Sequence, residues 1–144
     1  MIEHVSRNAS LTTTLRASAA STATGQSAAV VMPDAPNAYV FILDVTAAAT
    51  EVDDTLDVTI QTMVDGTNWI DVVHFTQVLG NGSAKRYIAK ISAESAMTMF
   101  ENATALSAGA IRNILGNTWR VSWVQVDAGG SADSFTFSVV GIPM

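Results

Sequence analysis

Two histidines, an acidic run and an Asp-Gly turn are the parts of this 144-residue chain whose types and spacing could do chemistry. His74 sits in the apolar stretch Trp69-Ile-Asp-Val-Val-His-Phe75. A general base needs a second group fixed beside it. No Asp or Glu has a spacing that forces it next to His74, so no catalytic triad can be argued, and His74 reads as a structural histidine. His4 stands alone near the N-terminus. Glu51, Asp53, Asp54 and Asp57 are hard oxygen donors of the kind Ca²⁺ takes. Their spacing is not that of the D-x-[DN]-x-[DN]-G loop, and a solvated acidic loop is the simpler reading. No pair of carboxylates can be placed for glycoside chemistry. Cysteine is absent, which excludes disulfides and thiolate metal sites. No catalytic residue, cofactor or metal is therefore expected.

Asp65-Gly66-Thr67-Asn68-Trp69 has the look of an Asp-box turn, without its Ser and with Asp and Gly adjacent. In such a turn the Asp accepts hydrogen bonds from the loop backbone and the Trp packs beneath it, which is structural work. Trp69 as a sugar-stacking platform is the functional alternative. Lys85-Arg86 is too small for a nucleic-acid patch and reads as an exposed strand entry. With a net charge of −6 and seven Lys plus Arg, a phosphate backbone is not an expected partner. No apolar run reaches the roughly 18 residues of a membrane span, so no membrane partner is expected either. MIEHVSRNASLTTTL lacks a basic segment followed by a long apolar one, so no secretory leader is expected in it.

The elements that would position these residues are mostly strands. Leu56–Phe75 reads as a β-hairpin, because Leu56, Val58 and Ile60 alternate with Asp57, Thr59 and Gln61. Gly66 supplies positive φ at its turn without a Cβ clash. On the second arm Trp69, Val73 and Phe75 share one parity and Ile70, Val72 and His74 the other; Trp69 is expected inside. Ala28–Met32 predicts a short strand. Ala38–Thr46 predicts a strand with Tyr39, Phe41, Leu43 and Val45 on one face. Val40 and Ile42 make its other face apolar too, which suggests a strand that is central or covered on both sides. Tyr87–Ile91, Thr118–Val126 and Ser134–Val140 follow the same rhythm, with Trp119, Trp123, Phe135 and Phe137 inward. Asp54–Ile60 and Asp133–Val139 echo each other position by position, as two similar hairpins of a two-sheet fold would. The fold class predicted is all-β, an antiparallel, jelly-roll-like β-sandwich spanning residues 26–144.

Two stretches depart from the rhythm. Residues 1–25, rich in Ser, Thr and Ala, read as an extended N-terminal arm with a strand near Leu11–Ala17; a mobile terminus is the alternative. Residues 93–115 are rich in Ala, Met and Leu and predict a short helical insertion, capped at Ser92 or Ser95. That insertion is expected to be a lid packed on the sandwich, or else a contact surface, since Met-rich surfaces repack easily. Leu11, Leu15, Met97, Met99, Phe100 and Leu106 are the candidate interface residues. Only 14% of residues are charged, which suits a chain that packs against partners.

Taken together, YVFILDVTAA, TLDVTIQTMVDGTNWIDVVHFTQV, TWRVSWVQV and SFTFSVVG, after the small-residue run Ala17–Gly25, resemble small structural proteins of tailed bacteriophages. The features shared are a strand ending LDVTA, a DGTNW hairpin, an FTQ strand end, an R-V-x-W strand and an F-T-F-S-V last strand. They cover about three quarters of the chain; the insertion at 93–115 is longer than the loop expected there. The resemblance implies a non-enzymatic capsid decoration (cement) protein on the outer surface of a phage head. It implies the major capsid protein as partner and a homo-oligomer, a trimer by preference, at three-fold positions. A carbohydrate-binding or adhesion module of a phage tail or fibre is the alternative.

Overall fold

The computed structural model describes residues 12–32, 37–93, 99–129 and 133–144. Ten strands build two antiparallel sheets: β1 (Thr13–Ser21), β2 (Gly25–Gln26), β3 (Val30–Val31), β4 (Ala38–Ala47), β5 (Thr55–Met63), β6 (Trp69–His74), β7 (Val78–Leu79), β8 (Lys85–Ser92), β9 (Thr118–Val126) and β10 (Phe135–Pro143). One sheet runs β1-β10-β4-β8; the other runs β2-β9-β5-β6, with β3 also on β9 and β7 also on β5. The sheets pack face to face as a β-sandwich.

Period-2 patterning explains the core. Phe41, Leu43 and Val45 of β4 and Phe135, Phe137 and Val139 of β10 are fully buried, as are Leu56, Val58 and Ile60 of β5 and Trp119 and Val121 of β9. Alternate side chains on a strand point to opposite faces, so each of these strands contributes one apolar row to the space between sheets. Tyr39 and Phe41 pack on Trp119 at ring separations of 4.8 and 5.3 Å. The two echoing segments are central strands, β5 in one sheet and β10 in the other. The loops before them bond to each other: Thr50 Oγ1 donates to Asp133 Oδ2 at 2.7 Å, and Ala128 N to Asp54 Oδ1 at 2.9 Å.

The hairpin turn is as expected. Gly66 has φ 77°. Asp65 accepts from the backbone N–H groups of Thr67 and Asn68 at 2.9 and 2.8 Å. The second arm departs from simple alternation. Gln61 pairs with Asp71, yet Ile60 pairs with Val73, so Val72 is an extra residue on β6. This β-bulge reverses the parity, and Val72 and Val73 are both buried. Trp69 therefore lies on the outer face, half-buried, with the Arg120 guanidinium 4.3 Å from its ring. Trp123 is also only half-buried. It closes the gap between the sheets against Phe137 at 5.6 Å and Arg16 at 4.7 Å, and its indole N–H donates to Ser21 Oγ at 3.0 Å.

The strand expected near Leu11–Ala17 is present as β1: from Thr13 to Ser21 the segment pairs with β10, and Leu15 is buried in the core. Backbone pairing with a central strand outweighs the low apolar content of the segment. Nor does the described part of the insertion, 99–115, contain a helix. Gly109 has φ 80°, outside helical geometry, and the backbone around it is committed elsewhere: Gly109 N donates to His74 O at 2.7 Å, His74 N to Ala110 O at 3.1 Å, and Arg112 N to Val72 O at 2.8 Å. Residues 109–112 thus extend the six-stranded sheet beyond β6. Tertiary pairing overrides helix propensity here.

Candidate functional site

The bulge in β6 has a consequence for chemistry. It sets His74 opposite Thr59, so that the imidazole faces outward and diagonally toward Asp57. Nε2 is 3.0 Å from Asp57 Oδ1, and Nδ1 is 2.7 Å from Leu106 O. Gln77 Nε2 donates to the other Asp57 oxygen at 2.7 Å. Both ring nitrogens face acceptors, and only the doubly protonated ring can donate to both at once. The arrangement ties the insertion to the hairpin. Asp71 and Arg112 reinforce it: Leu106 N donates to Asp71 Oδ2 at 3.4 Å, and Arg112 donates to Thr104 O at 2.9 Å and stacks 4.2 Å from the Phe100 ring. Sequence reasoning missed the His74–Asp57 pair because alternation gives a side chain's face but not its partner across the hairpin, and the extra residue moves His74 from opposite Val58 to opposite Thr59. No period in the sequence announces an inserted residue between two valines.

Beside His74 a cleft of about 340 Å³ opens between the edge strands β6 and β8. Its walls are Val73 to Thr76 on one side and Tyr87 to Lys90 of β8 on the other, with Ile111 of the insertion closing it. The His74–Asp57 pair works as a clamp, since its hydrogen bonds join β5, β6 and the insertion.

The acidic loop divides. Asp57 belongs to the His74 clamp, and Asp53 is exposed. Glu51 and Asp54 are joined instead by Asp127, their carboxylate oxygens within 4.8 Å of one another. An oxygen-only set of this kind suits a hard cation such as Ca²⁺, although three ligands fall short of the six to eight that Ca²⁺ takes. The same groups have structural work. Asp54, 1% exposed, fixes Ala128, and Glu51 N donates to Asp133 Oδ2 at 3.2 Å. The Glu51 carboxylate passes so close to Gly129 that a Cβ there would sit 1.0 Å from its oxygen, so no other residue fits without moving it.

Of the candidate interface residues, Leu11 and Met97 lie outside the described residues. Leu15 is 4% exposed and faces the protein's own core, so it is not available to a partner. Met99 is 97% exposed. Phe100 and Leu106 are half-buried on the insertion beside β6. Leu15 enters from β1, on the opposite edge of the sandwich from Met99, Phe100 and Leu106, so the described four do not form one surface.

A larger surface lies on the outer face of the four-stranded sheet. Ile42 of β4 is in register with Val140 on one side and Ile88 on the other, and Val40 is in register with Ile142. Ile88 is 68% exposed and the other four are half-exposed. Among the described residues nothing covers this row, so β4 is central in its sheet without being covered on both sides. The outer face of the other sheet is polar at its centre. There Arg120 Nε donates to Gln61 Oε1 and Gln61 Nε2 to Asp71 Oδ1, both at 2.7 Å, and Arg120 occupies the Trp69 ring that a sugar would need. Comparison with protein-family models, with curated proteins and with solved structures finds no match.

Proposed function

We propose that this chain is a structural protein of a tailed-phage virion, a decoration protein that seats on the outside of the head and strengthens it. The observation that carries the reading is the row of Ile88, Ile42 and Val140, flanked by Val40 and Ile142, on an open sheet face. Contiguous apolar patches on a protein surface mark sites where something else is buried. Seating that face on the major capsid protein adds interface area between shell subunits, and the surplus over the cost of association stabilises the shell. The sequence resemblance, the low charge content and the polar, internally bonded centre of the other outer face agree with one-sided docking. A homo-oligomer, a trimer at three-fold positions, belongs to the same proposal. The reading involves no catalysis, cofactor or nucleic acid.

The experiment is cryo-electron microscopy of the virion whose genome encodes the chain, together with an Ile42→Glu, Ile88→Glu variant. The expected result is a two-sheet density on the head with the four-stranded sheet toward the shell. The variant should leave heads undecorated while its thermal melt is unchanged. Density on a tail or fibre, or heads decorated normally by the variant, would overturn the reading.

A further inference from the structure

The sandwich has four sheet edges, and three of them are closed to new partners. β6 is extended by residues 109–112. β1 carries register shifts on both sides of Arg16, which twist it out of line. The β2 and β3 edge consists of two-residue strands. β8 differs. It pairs with β4 over eight consecutive residues without a shift, and among the described residues no strand lies beyond it in the sheet order.

The register shows which backbone groups of β8 are unused. Ala93 N donates to Asn37 O, toward β4, whereas Ser92 N donates to the Asn113 side chain, away from β4. Ala38 in turn exchanges hydrogen bonds with Met144, on the β10 side. In an antiparallel ladder this alternation continues, so the odd residues of β8 bond β4 and the even residues point outward. The N–H and C=O groups of Arg86, Ile88 and Lys90 therefore line the free edge, and no described group meets them. Their side chains are exposed on the outer face, and neither Arg86 nor Lys90 has an ion-pair partner among the described residues. The inward side chains Tyr87 and Ala89 border the 340 Å³ cleft.

We propose that β8 is a strand-addition site that takes an extended segment of another protein, with acidic residues opposite Arg86 and Lys90 and apolar residues alternating into the cleft. Main-chain bonds along the edge would hold such a segment, and the side-chain alternation would select it. Charge decides against a second copy of this chain in that place. The antiparallel self-pairing that uses all three residues sets Arg86 of each copy opposite Lys90 of the other, and like charges directly opposed destabilise a pair of strands. The proposal stands apart from the virion assignment, and its test needs no virion.

The probe is a capped peptide of strictly alternating valine and glutamate, titrated into nitrogen-15-labelled protein, with the valine–lysine peptide as control. The expected result is slowed solvent exchange at the amides of Arg86, Ile88 and Lys90 with the glutamate peptide, and binding about tenfold weaker for the lysine peptide. The Arg86→Glu, Lys90→Glu variant should reverse that preference. Ile88→Pro removes an outward N–H without touching the β4 ladder, so it should abolish binding; a circular-dichroism melt establishes that it folds, and the charge reversal decides the matter if it does not. Protection at other amides only, no preference between the peptides, or a dimer formed through β8 in sedimentation would each overturn the proposal.

Discussion

His74 Nε2 lies 3.0 Å from Asp57 Oδ1 across the hairpin, and one extra residue, Val72, is what brings them together. The ring's other nitrogen holds Leu106 O at 2.7 Å, so one side chain joins β5, β6 and the insertion. His74→Phe should cost about 1–2 kcal/mol, the worth of bonds to a charged partner at a partly exposed site. It should also speed amide exchange at Gly109 and Arg112 more than at Val58. Equal acceleration at all three amides would mean that the clamp does not act locally.

Phe137 is fully buried and lies under both Trp123 and the Arg16 guanidinium, 3.7 Å from its ring. Phe137→Ala should cost about 3–5 kcal/mol through lost transfer energy and a cavity. A denaturant melt giving less than about 1 kcal/mol would contradict the packing.

A Cβ added at Gly66 would meet nothing within 4 Å, so any cost of substitution there is the cost of φ 77° itself. Gly66→Val should destabilise by about 1–2 kcal/mol and Gly66→Asn by less, since Asn tolerates the left-handed region. Equal melting of the two variants would place the turn in some other conformation.

Asp65 gives a pH signature. Hydrogen bonds from Asn68, through its backbone and then its side chain, and from the Thr67 backbone hold its carboxyl down to about 2 from the ordinary 3.8. A carboxyl lowered by folding stabilises the fold above its unfolded value and loses that contribution as pH falls through the folded one. The turn's contribution should therefore be intact above pH 3.8 and fade toward about 2. Carbon-13 titration of the Asp65 carboxyl measures this directly. A midpoint at the ordinary aspartate value would mean that the three bonds do not form in solution.

Removing residues 1–15 should destabilise the sandwich. It takes Leu15 from the core, at a cost of about 2–4 kcal/mol, and strips two paired residues from β1. Removing 1–11 spares both. Equal melting temperatures for the two truncations would contradict the pairing of Thr13 and Thr14 with β10.

Where burial alternates cleanly the sequence was enough. The rows of β4, β5 and β10, and the positive φ at Gly66, follow from period 2 and from an Asp-Gly turn. The outward side of Trp69 did not follow, because a bulge changes parity without changing composition. The insertion misled through Ala, Met and Leu, residues whose helix preference is weaker than three backbone bonds to β6. β1 was legible only as far as Ala17: Ala17 to Ala20 show no alternation, and the strand runs on to Ser21 because β10 offers it an edge. The His74–Asp57 pair needed the register, which no spacing along the chain reveals.

The order of strands in the smaller sheet bears on synthesis. β10, the last of these strands to leave the ribosome, lies between β1 and β4. Until it emerges, β1 has no partner in its sheet and the β4–β8 pair keeps an unpaired inner edge beside the apolar row of Phe41, Leu43 and Val45. The smaller sheet is therefore assembled after translation of residue 143, by insertion of one strand between two that wait for it, and such non-local closure is slow and exposed to aggregation. A nascent chain halted before Phe135 lacks the strand that joins β1 to β4, and that apolar row stays beside an open edge.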